Sequence, residues 1–356
     1  MKIAQVAPLY EAVPPRLYGG TERIVAFLSD ALVDLGHDVT LFASADAATK
    51  ATLVPVRDQA IRLDPDPLRC DLAAHLVQLS EVRRRLAQFD VIHFHIDLLH
   101  FPLFEDVAAR TVTTLHGRQD LKDLPEAYSC WPAYPLVSIS DNQRKPLALG
   151  NWIETVHHGV PPSLYAPPAH PKGDYLAFIG RISPEKRPDR AIAIARGAGM
   201  KLRIAAKVDQ ADMVYFRREI EPLLGDPDVE FIGEIGDAQK SEFIGNARAL
   251  LFPIDWPEPF GLVMIEAMAC GTPVIAWNCG SVPEVIDPGR TGCIVSSEDE
   301  AVAAVEAVGR LDRAQVRAAF DERFSAPIMA GNYVDVYQRL LARSRMPGAL
   351  RVVQGS

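Results

Sequence analysis

Two glutamates with seven residues between them carry the densest chemistry in this chain. In Glu258-Pro259-Phe260-Gly261-Leu262-Val263-Met264-Ile265-Glu266-Ala267-Met268-Ala269-Cys270-Gly271-Thr272-Pro273, Glu266 is the lone charge of an otherwise apolar helical stretch. A buried carboxylate without partners costs several kcal/mol, comparable to a whole domain's net stability. Something must donate hydrogen bonds to Glu266, and the hydroxyl pair of a ribose would do so. Glu258, kept extended by the proline after it, stands just ahead of a helix predicted over 261–269. Sugar hydroxyls and phosphate could lie over the amides of Phe260 and Gly261, with Leu262 next in line. A structural reading stays open: one glutamate favouring the helix dipole and the other paired with an internal arginine.

A second group follows an apolar strand at 175–179. Gly180-Arg181-Ile182-Ser183-Pro184-Glu185-Lys186-Arg187-Pro188 puts Arg181 and Lys186 beside a helix that begins at Pro188. Two cations there suit a diphosphate, or are solvated loop charges. Near the start, Tyr18-Gly19-Gly20-Thr21-Glu22 follows the first strand, where Gly19 and Gly20 let backbone amides approach an anion; Thr21 can cap the next helix. His116 directly follows a strand at 111–115. His93 and His95 alternate onto one strand face with His100 beyond, a pattern that reads as packing before it reads as metal ligation. Asp64-Pro65-Asp66 and Asp226-Pro227-Asp228 are Asp-x-Asp stretches that turn formation explains, so no metal site is expected.

These residues need strands to place them. Strands are predicted at 3–8, 38–43, 91–95, 111–115, 136–139 and 155–156, with a helix from Thr21 whose Ile24, Val25, Leu28, Leu32 and Leu35 share one face. The segment 160–173 has five prolines in fourteen residues and reads as a linker. Strand–helix alternation then restarts: strands at 175–179, 201–205, 229–232, 249–252 and 273–276, with helices at 188–198, 213–224, 237–246 and 261–269. The expected organisation is an N-terminal Rossmann-like domain over 1–160, the linker 161–173, a C-terminal Rossmann-like domain over 174–326, and a last helix over 327–345. The tail 346–356 reads as loose.

At 356 residues and 48% hydrophobic, the chain can bury two ordinary cores. A net charge of −9, spread over both halves, argues against nucleic acid as a partner. The cysteines, at 70, 130, 270, 279 and 293, are odd in number and form no Cys-x-x-Cys pair, so reduced thiols are expected. The first residues lack a signal peptide's pattern, and no stretch approaches the roughly eighteen apolar residues of a membrane span. A cytoplasmic protein is expected, with membrane contact at most peripheral; Arg83-Arg84-Arg85 reads as a solvated helix face.

Taken together, the Glu258-x7-Glu266 element, its continuation Gly271-Thr272-Pro273-Val274-Ile275-Ala276, and the loop from Gly180-Arg181 to Lys186 resemble the family 4 retaining glycosyltransferases. The likeness implies an α/β fold of GT-B type, two doubly wound domains facing a cleft. It implies that Glu258 meets the donor sugar, Glu266 the ribose, and Arg181 and Lys186 the diphosphate of a nucleotide sugar. Gly19 and Gly20 would approach the phosphate or sugar, with His116 beside the transferred sugar and the last helix crossing back to the first domain. His158-Gly159-Val160-Pro161 and Ala206-Lys207-Val208-Asp209 depart from the family pattern. The activity implied is hexose transfer from a UDP-linked donor, glucose first, to a carbohydrate, lipid-linked or small-molecule hydroxyl. No metal cofactor and no covalent nucleophile are implied. A sugar-nucleotide epimerase of the same fold, or a non-catalytic sugar-nucleotide-binding protein, remain alternatives.

Overall fold

Short segments, several of them fully buried, make up the strands of the computed structural model, which describes residues 1–16, 19–66 and 68–344. Tyr18 of the Gly-Gly turn, the last residue of the predicted C-terminal helix and the tail 346–356 lie outside the described residues. The chain divides into two units. The first comprises 1–139, 144–157 and the segment from 326 onward; the second comprises 140–143 and 158–325.

The first unit holds a seven-stranded parallel sheet made of β1 (Lys2–Val6), β2 (Asp38–Ala43), β3 (Thr52–Pro55), β4 (Val91–Phe94), β5 (Thr111–Thr114), β6 (Leu136–Ser138) and β7 (Trp152–Thr155), in spatial order 3-2-1-4-5-6-7. Strands β1, β4, β5 and β6 carry almost nothing but buried side chains, as a sheet covered on both faces requires. The order reverses between β1 and β4, which makes the loops after them the place where such sheets bind ligands. Phe42, Leu79, Val82, Ile92, Phe94 and Phe104 close one face of the sheet. The helix Ala326–Ser344 belongs to this unit and buries Tyr333 and Tyr337 completely.

The second unit repeats the plan with β8 (Tyr175–Arg181), β9 (Lys201–Lys207), β10 (Val229–Gly233), β11 (Ala249–Phe252), β12 (Val274–Trp277) and β13 (Gly292–Val295), ordered 10-9-8-11-12-13 and all parallel. Its switch point lies between β8 and β11. Leu176, Phe178, Ile192, Ile204, Leu251 and Ile275 are among the side chains that form its core.

Several local expectations are corrected. The first helix spans Gly20–Asp34 with Gly19 ahead of it and no side-chain cap, so Thr21 lies inside the first turn. The stretch expected as one helix over 213–224 is an α-turn at Met213–Tyr215, a π-segment at Phe216–Ile220 and a 3₁₀ turn at Glu221–Gly225. Pro222, which has no N–H to give an α-helical ladder, accounts for the change of register. Strand β3 falls in a stretch given no element, and the helix Asp71–Arg84 extends well ahead of the helix face read at Arg83-Arg84-Arg85. The last predicted N-terminal strand is β7 at Trp152–Thr155 rather than 155–156. The proline-rich segment packs within the second unit: Arg317 donates to the carbonyls of Pro162 (2.9 Å), Tyr165 (2.8 Å) and Ala269 (2.7 Å).

Candidate active site

In the second unit, the loops after β8 and β11 meet. The amide of Asp255 donates to the carbonyl of Glu185 at 2.8 Å, tying one loop to the other. Lys186, in the 3₁₀ turn Pro184–Lys186, forms an ion pair with Glu258, its ammonium 5.2 Å from the ring centre of Trp256 and 5.8 Å from that of Phe252. The Trp256 indole donates to the same Glu258 oxygen at 3.0 Å. Side-chain exposures of 20% for Lys186 and 13% for Glu258 leave both able to exchange one partner for a ligand.

The backbone around Glu258 is clamped from one side. Ser281 donates its amide to the Glu258 carbonyl (3.0 Å) and its hydroxyl to that of Phe260 (2.7 Å). Gly280 takes a φ of 59° and lies so near that a Cβ there would stand 2.8 Å from Pro257 C and closer still to the Glu258 backbone. Gly261, at φ 81°, turns the chain into the helix Leu262–Ala269. The amides of Leu262 and Val263 precede the first intrahelical acceptor, and the helix's positive end lies beside Glu258.

Arg181 closes β8 and is the register neighbour of Lys207 at the end of β9. Its guanidinium meets Glu185 at 2.6 Å, Asp209 at 3.7 Å and Asp212 at 3.8 Å. Lys207 pairs with Asp209 at 2.8 Å and holds that carboxyl below its ordinary range, whereas desolvation pushes Asp212 up despite Arg181. Arg181 is thus a cation with three carboxylate neighbours, a setting its own motif does not disclose.

Glu266 corrects the sequence reasoning. It is buried, yet its donors come from the protein: Lys240 Nζ at 2.9 and 3.0 Å and the Tyr165 hydroxyl at 3.2 Å. No ribose is needed to satisfy it. The helix Asp237–Gly245 supplies Lys240, and the proline-rich segment supplies Tyr165, whose single hydroxyl proton is shared between Glu266 and the nearer Asp237 at 2.7 Å. Neither the arginine pairing nor the obligatory external donor is what the fold uses.

In the first unit, His93, His95 and His116 gather at the ends of β4 and β5. His93 lies 2.7 Å from both the Tyr337 hydroxyl and Thr114 Oγ1, and His95 lies 2.8 Å from Gln5 and from His116. His100 stacks on Phe94 with ring centres 3.7 Å apart and contacts Thr113 at 3.1 Å. For His93 and His100 these are packing and hydrogen-bonding roles. Desolvation lowers the pKa values of His93, His100 and His116. The Asp-x-Asp stretches are likewise engaged: Asp64 pairs with Arg57 and accepts from the Asp66 amide, and Asp226 does the same with Arg196 and Asp228. Arg83 pairs with Asp106, while Arg84 and Arg85 pair with Glu81. Among the described residues, no helix is long and apolar enough to cross a membrane.

Known proteins share this arrangement of elements. A family profile described as "Glycosyltransferase Family 4" matches residues 18–214, and one described as "Glycosyl transferases group 1" matches 166–322. The chain is 26% identical to the phosphatidyl-myo-inositol mannosyltransferase of Mycolicibacterium smegmatis, over 91% of this chain and 88% of that protein. The crystal structure of AviGT4, a glycosyltransferase involved in avilamycin A biosynthesis, superposes with a TM-score of 0.73 at 26% identity, covering 96% of this chain and 98% of that one. HepE from Anabaena, solved with UDP and glucose, shares the fold at a TM-score of 0.73 and 16% identity, over 95% and 100% of the two chains. Two parallel α/β units, a family profile spanning more than half the chain and near full-length relatives lead to one conclusion: the chain belongs to glycosyltransferase family 4 and is a glycosyltransferase of GT-B type.

Proposed function

We propose that the protein is a retaining hexosyltransferase that uses a nucleoside diphosphate sugar, with UDP-glucose the first donor to try, and needs no divalent metal. The observation that carries this is the Lys186–Glu258 pair at the switch point of the second sheet, beside a helix N-terminus. Breaking the anomeric bond builds negative charge on the departing diphosphate. Lys186, Arg181 and the amides of Leu262 and Val263 can take up that charge. When the donor enters, Lys186 turns from Glu258 to the diphosphate, and Glu258 accepts from sugar hydroxyls instead. Glu266, already held by Lys240, accepts from the ribose. From the first unit, the Gly19-Gly20 turn is assigned to the phosphate or sugar and His116 to the transferred sugar. With no nucleophile assigned, departure and attack share one face, and the leaving phosphate oxygen takes the acceptor's proton.

Calorimetric titration with uridine, guanosine and adenosine diphosphates, with and without magnesium, tests the donor half. Release of the nucleoside diphosphate, with product configuration read by NMR across sugar and inositol phosphate acceptors, tests the rest. Glu258→Ala is expected to lose turnover with little loss of nucleotide affinity, whereas Arg181→Ala and Lys186→Ala weaken both. Near wild-type transfer by all three variants, or inversion at the anomeric carbon, refutes the reading.

A further inference from the structure

Lys186 and Arg187 are consecutive residues, and each grips the loop that follows β11. Lys186 holds Glu258, while Arg187 reaches Asp255 at 3.1 Å. Between the two grips, Trp256 donates to Glu258 at 3.0 Å. Asp255 is fastened at two more points. Its amide donates to the Glu185 carbonyl at 2.8 Å, and Arg190, from the helix Pro188–Gly197, stands 3.8 Å from its carboxylate. Arg190 also donates to the Pro253 carbonyl at 3.0 Å, and its guanidinium lies 4.0 Å from the ring centre of Trp277.

Arg187 keeps this position in a backbone conformation unfavourable to it. Its φ of 53° and ψ of 54° are left-handed, and among the described residues Asp97 is the one other non-glycine with a positive φ. Glycine would adopt the same angles without strain, whereas a Cβ makes them costly. Such a conformation persists where the surroundings over-determine it. Here Asp189 does so: Arg187 Nε lies 3.0 Å from each of its carboxylate oxygens, and one outer guanidinium nitrogen lies 2.8 Å from Oδ2. The Tyr215 hydroxyl donates to the same Asp189 at 3.2 Å and fixes it in turn. The other outer nitrogen of Arg187 is thereby aimed at Asp255. With Asp255 57% exposed, water screens that pair, so it adds little to stability. What it fixes is the course of the loop three residues ahead of Glu258.

We propose that Arg187 is a positioning residue, held left-handed by Asp189 so that it anchors Asp255 and thereby fixes where Glu258 stands. The proposal deepens the transferase reading and rests on it for the role of Glu258 at the donor sugar. Lys186 cannot anchor Glu258 throughout the reaction, because it turns to the diphosphate when the donor enters. The ties at Asp255 remain, so Glu258 keeps its place after its own cation has left. A glutamate that meets the sugar hydroxyls from a shifted position loses transition-state contacts while the nucleotide still binds.

The deciding measurement reads the indole N–H of Trp256 by NMR in the ligand-free, full-length, nitrogen-labelled protein. Its signal is assigned by its loss in Trp256→Phe, and Glu258→Leu marks its position once the bond to Glu258 is broken. Arg187→Gly and Asp255→Asn are each expected to move the signal part of the way there. The indole signals of Trp131 and Trp152, bonded to Glu105 and Leu147 in the first unit, stay where they are. A Trp256 signal that Arg187→Gly leaves unmoved overturns the proposal, whether or not transfer is observed. Glycine takes the left-handed turn without strain and Asp255 is exposed, so both variants are expected to fold and to melt close to wild type. Loss of folding in either would make the pair a support of the whole unit, which also overturns the proposal. For whichever donor turns over, kcat should fall about tenfold in both variants, with nucleoside diphosphate affinity kept within about twofold. An unchanged kcat, or an affinity that falls as far as kcat does, refutes the positioning role. Absence of transfer by the wild type refutes the transferase reading alone, since the indole spectrum does not depend on turnover.

Discussion

Replacing Lys240 by methionine isolates the partner that Glu266 depends on. Methionine keeps the length and packing of the side chain and removes the charge. The Glu266 carboxylate, 3% exposed, would keep only the Tyr165 hydroxyl at 3.2 Å, whose one proton it shares with Asp237. Removing one partner of a buried ion pair costs about 3–5 kcal/mol, because a charge is left uncompensated. Lys240 is 13% exposed, so some water reaches the pair and the lower end, about 3 kcal/mol, is the better figure. In a cooperative unit of roughly 170 residues, that corresponds to a fall in melting temperature of roughly 6–12 °C. Calorimetry on wild type, Lys240→Met, and Lys240→Met with Glu266→Gln measures it, with the double variant expected to recover part of the loss. If Glu266 also takes ribose hydroxyls, a bound nucleotide supplies the missing donors. The ligand-induced rise in melting temperature should then be larger in Lys240→Met than in wild type. A single variant that melts within a degree of wild type refutes the claim that Lys240 satisfies Glu266. An equal ligand-induced rise in both refutes the ribose assignment.

Three further outcomes are expected. Gly280→Ala must adopt a left-handed backbone and push on the Glu258 main chain; the conformational cost alone is about 1–2 kcal/mol, and donor turnover should fall further than stability does, by initial rates and denaturant melts respectively. His93 and His100 are buried with pKa values well below the ordinary 6.5, so the stability gained by keeping them neutral is fully present above about pH 6.5. It drains away below that pH by about 1.4 kcal/mol per unit for each histidine; urea midpoints that stay level from pH 7 to 5 would contradict this. Arg317→Met leaves three carbonyls of the proline-rich segment and its helix neighbour without their donor, which should cost about 3 kcal/mol and open 161–173 to limited proteolysis ahead of global unfolding.

The sheets were legible because their strands are short apolar runs between helical patterns, a signal carried by neighbouring residues. Strand β3 was not: it is a half-exposed edge strand of four residues ending in Pro55, too short for alternation to show. The segment 213–225 kept a helical hydrophobic period, and only Pro222 hinted that the ladder would change. In the candidate site, Lys186 and Glu258 were both marked by their local motifs, but their contact depends on two loops brought together by the order of β8 and β11. Lys240 was missed because the partner of Glu266 sits on a different helix, and no local spacing relates the two. Asp209 and Asp212 gather around Arg181 only because β9 lies beside β8. Gln5 and His95 gave a weak signal, a polar pair in buried strands, which alternation alone reads as packing.

The first unit is assembled from segments that lie on either side of the second unit in the sequence. Gln5, His93 and Thr114 are synthesised early, yet the hydroxyls that complete their bonds, those of Tyr333 and Tyr337, arrive only after the whole second unit has emerged. Until then the nascent sheet holds buried polar groups with no final partners and an uncovered apolar face. The second unit, nearly continuous in sequence, can finish first. Order of maturation therefore runs against order of synthesis, and a nascent chain halted before residue 326 would hold a completed second unit while the first still awaited its closing helix.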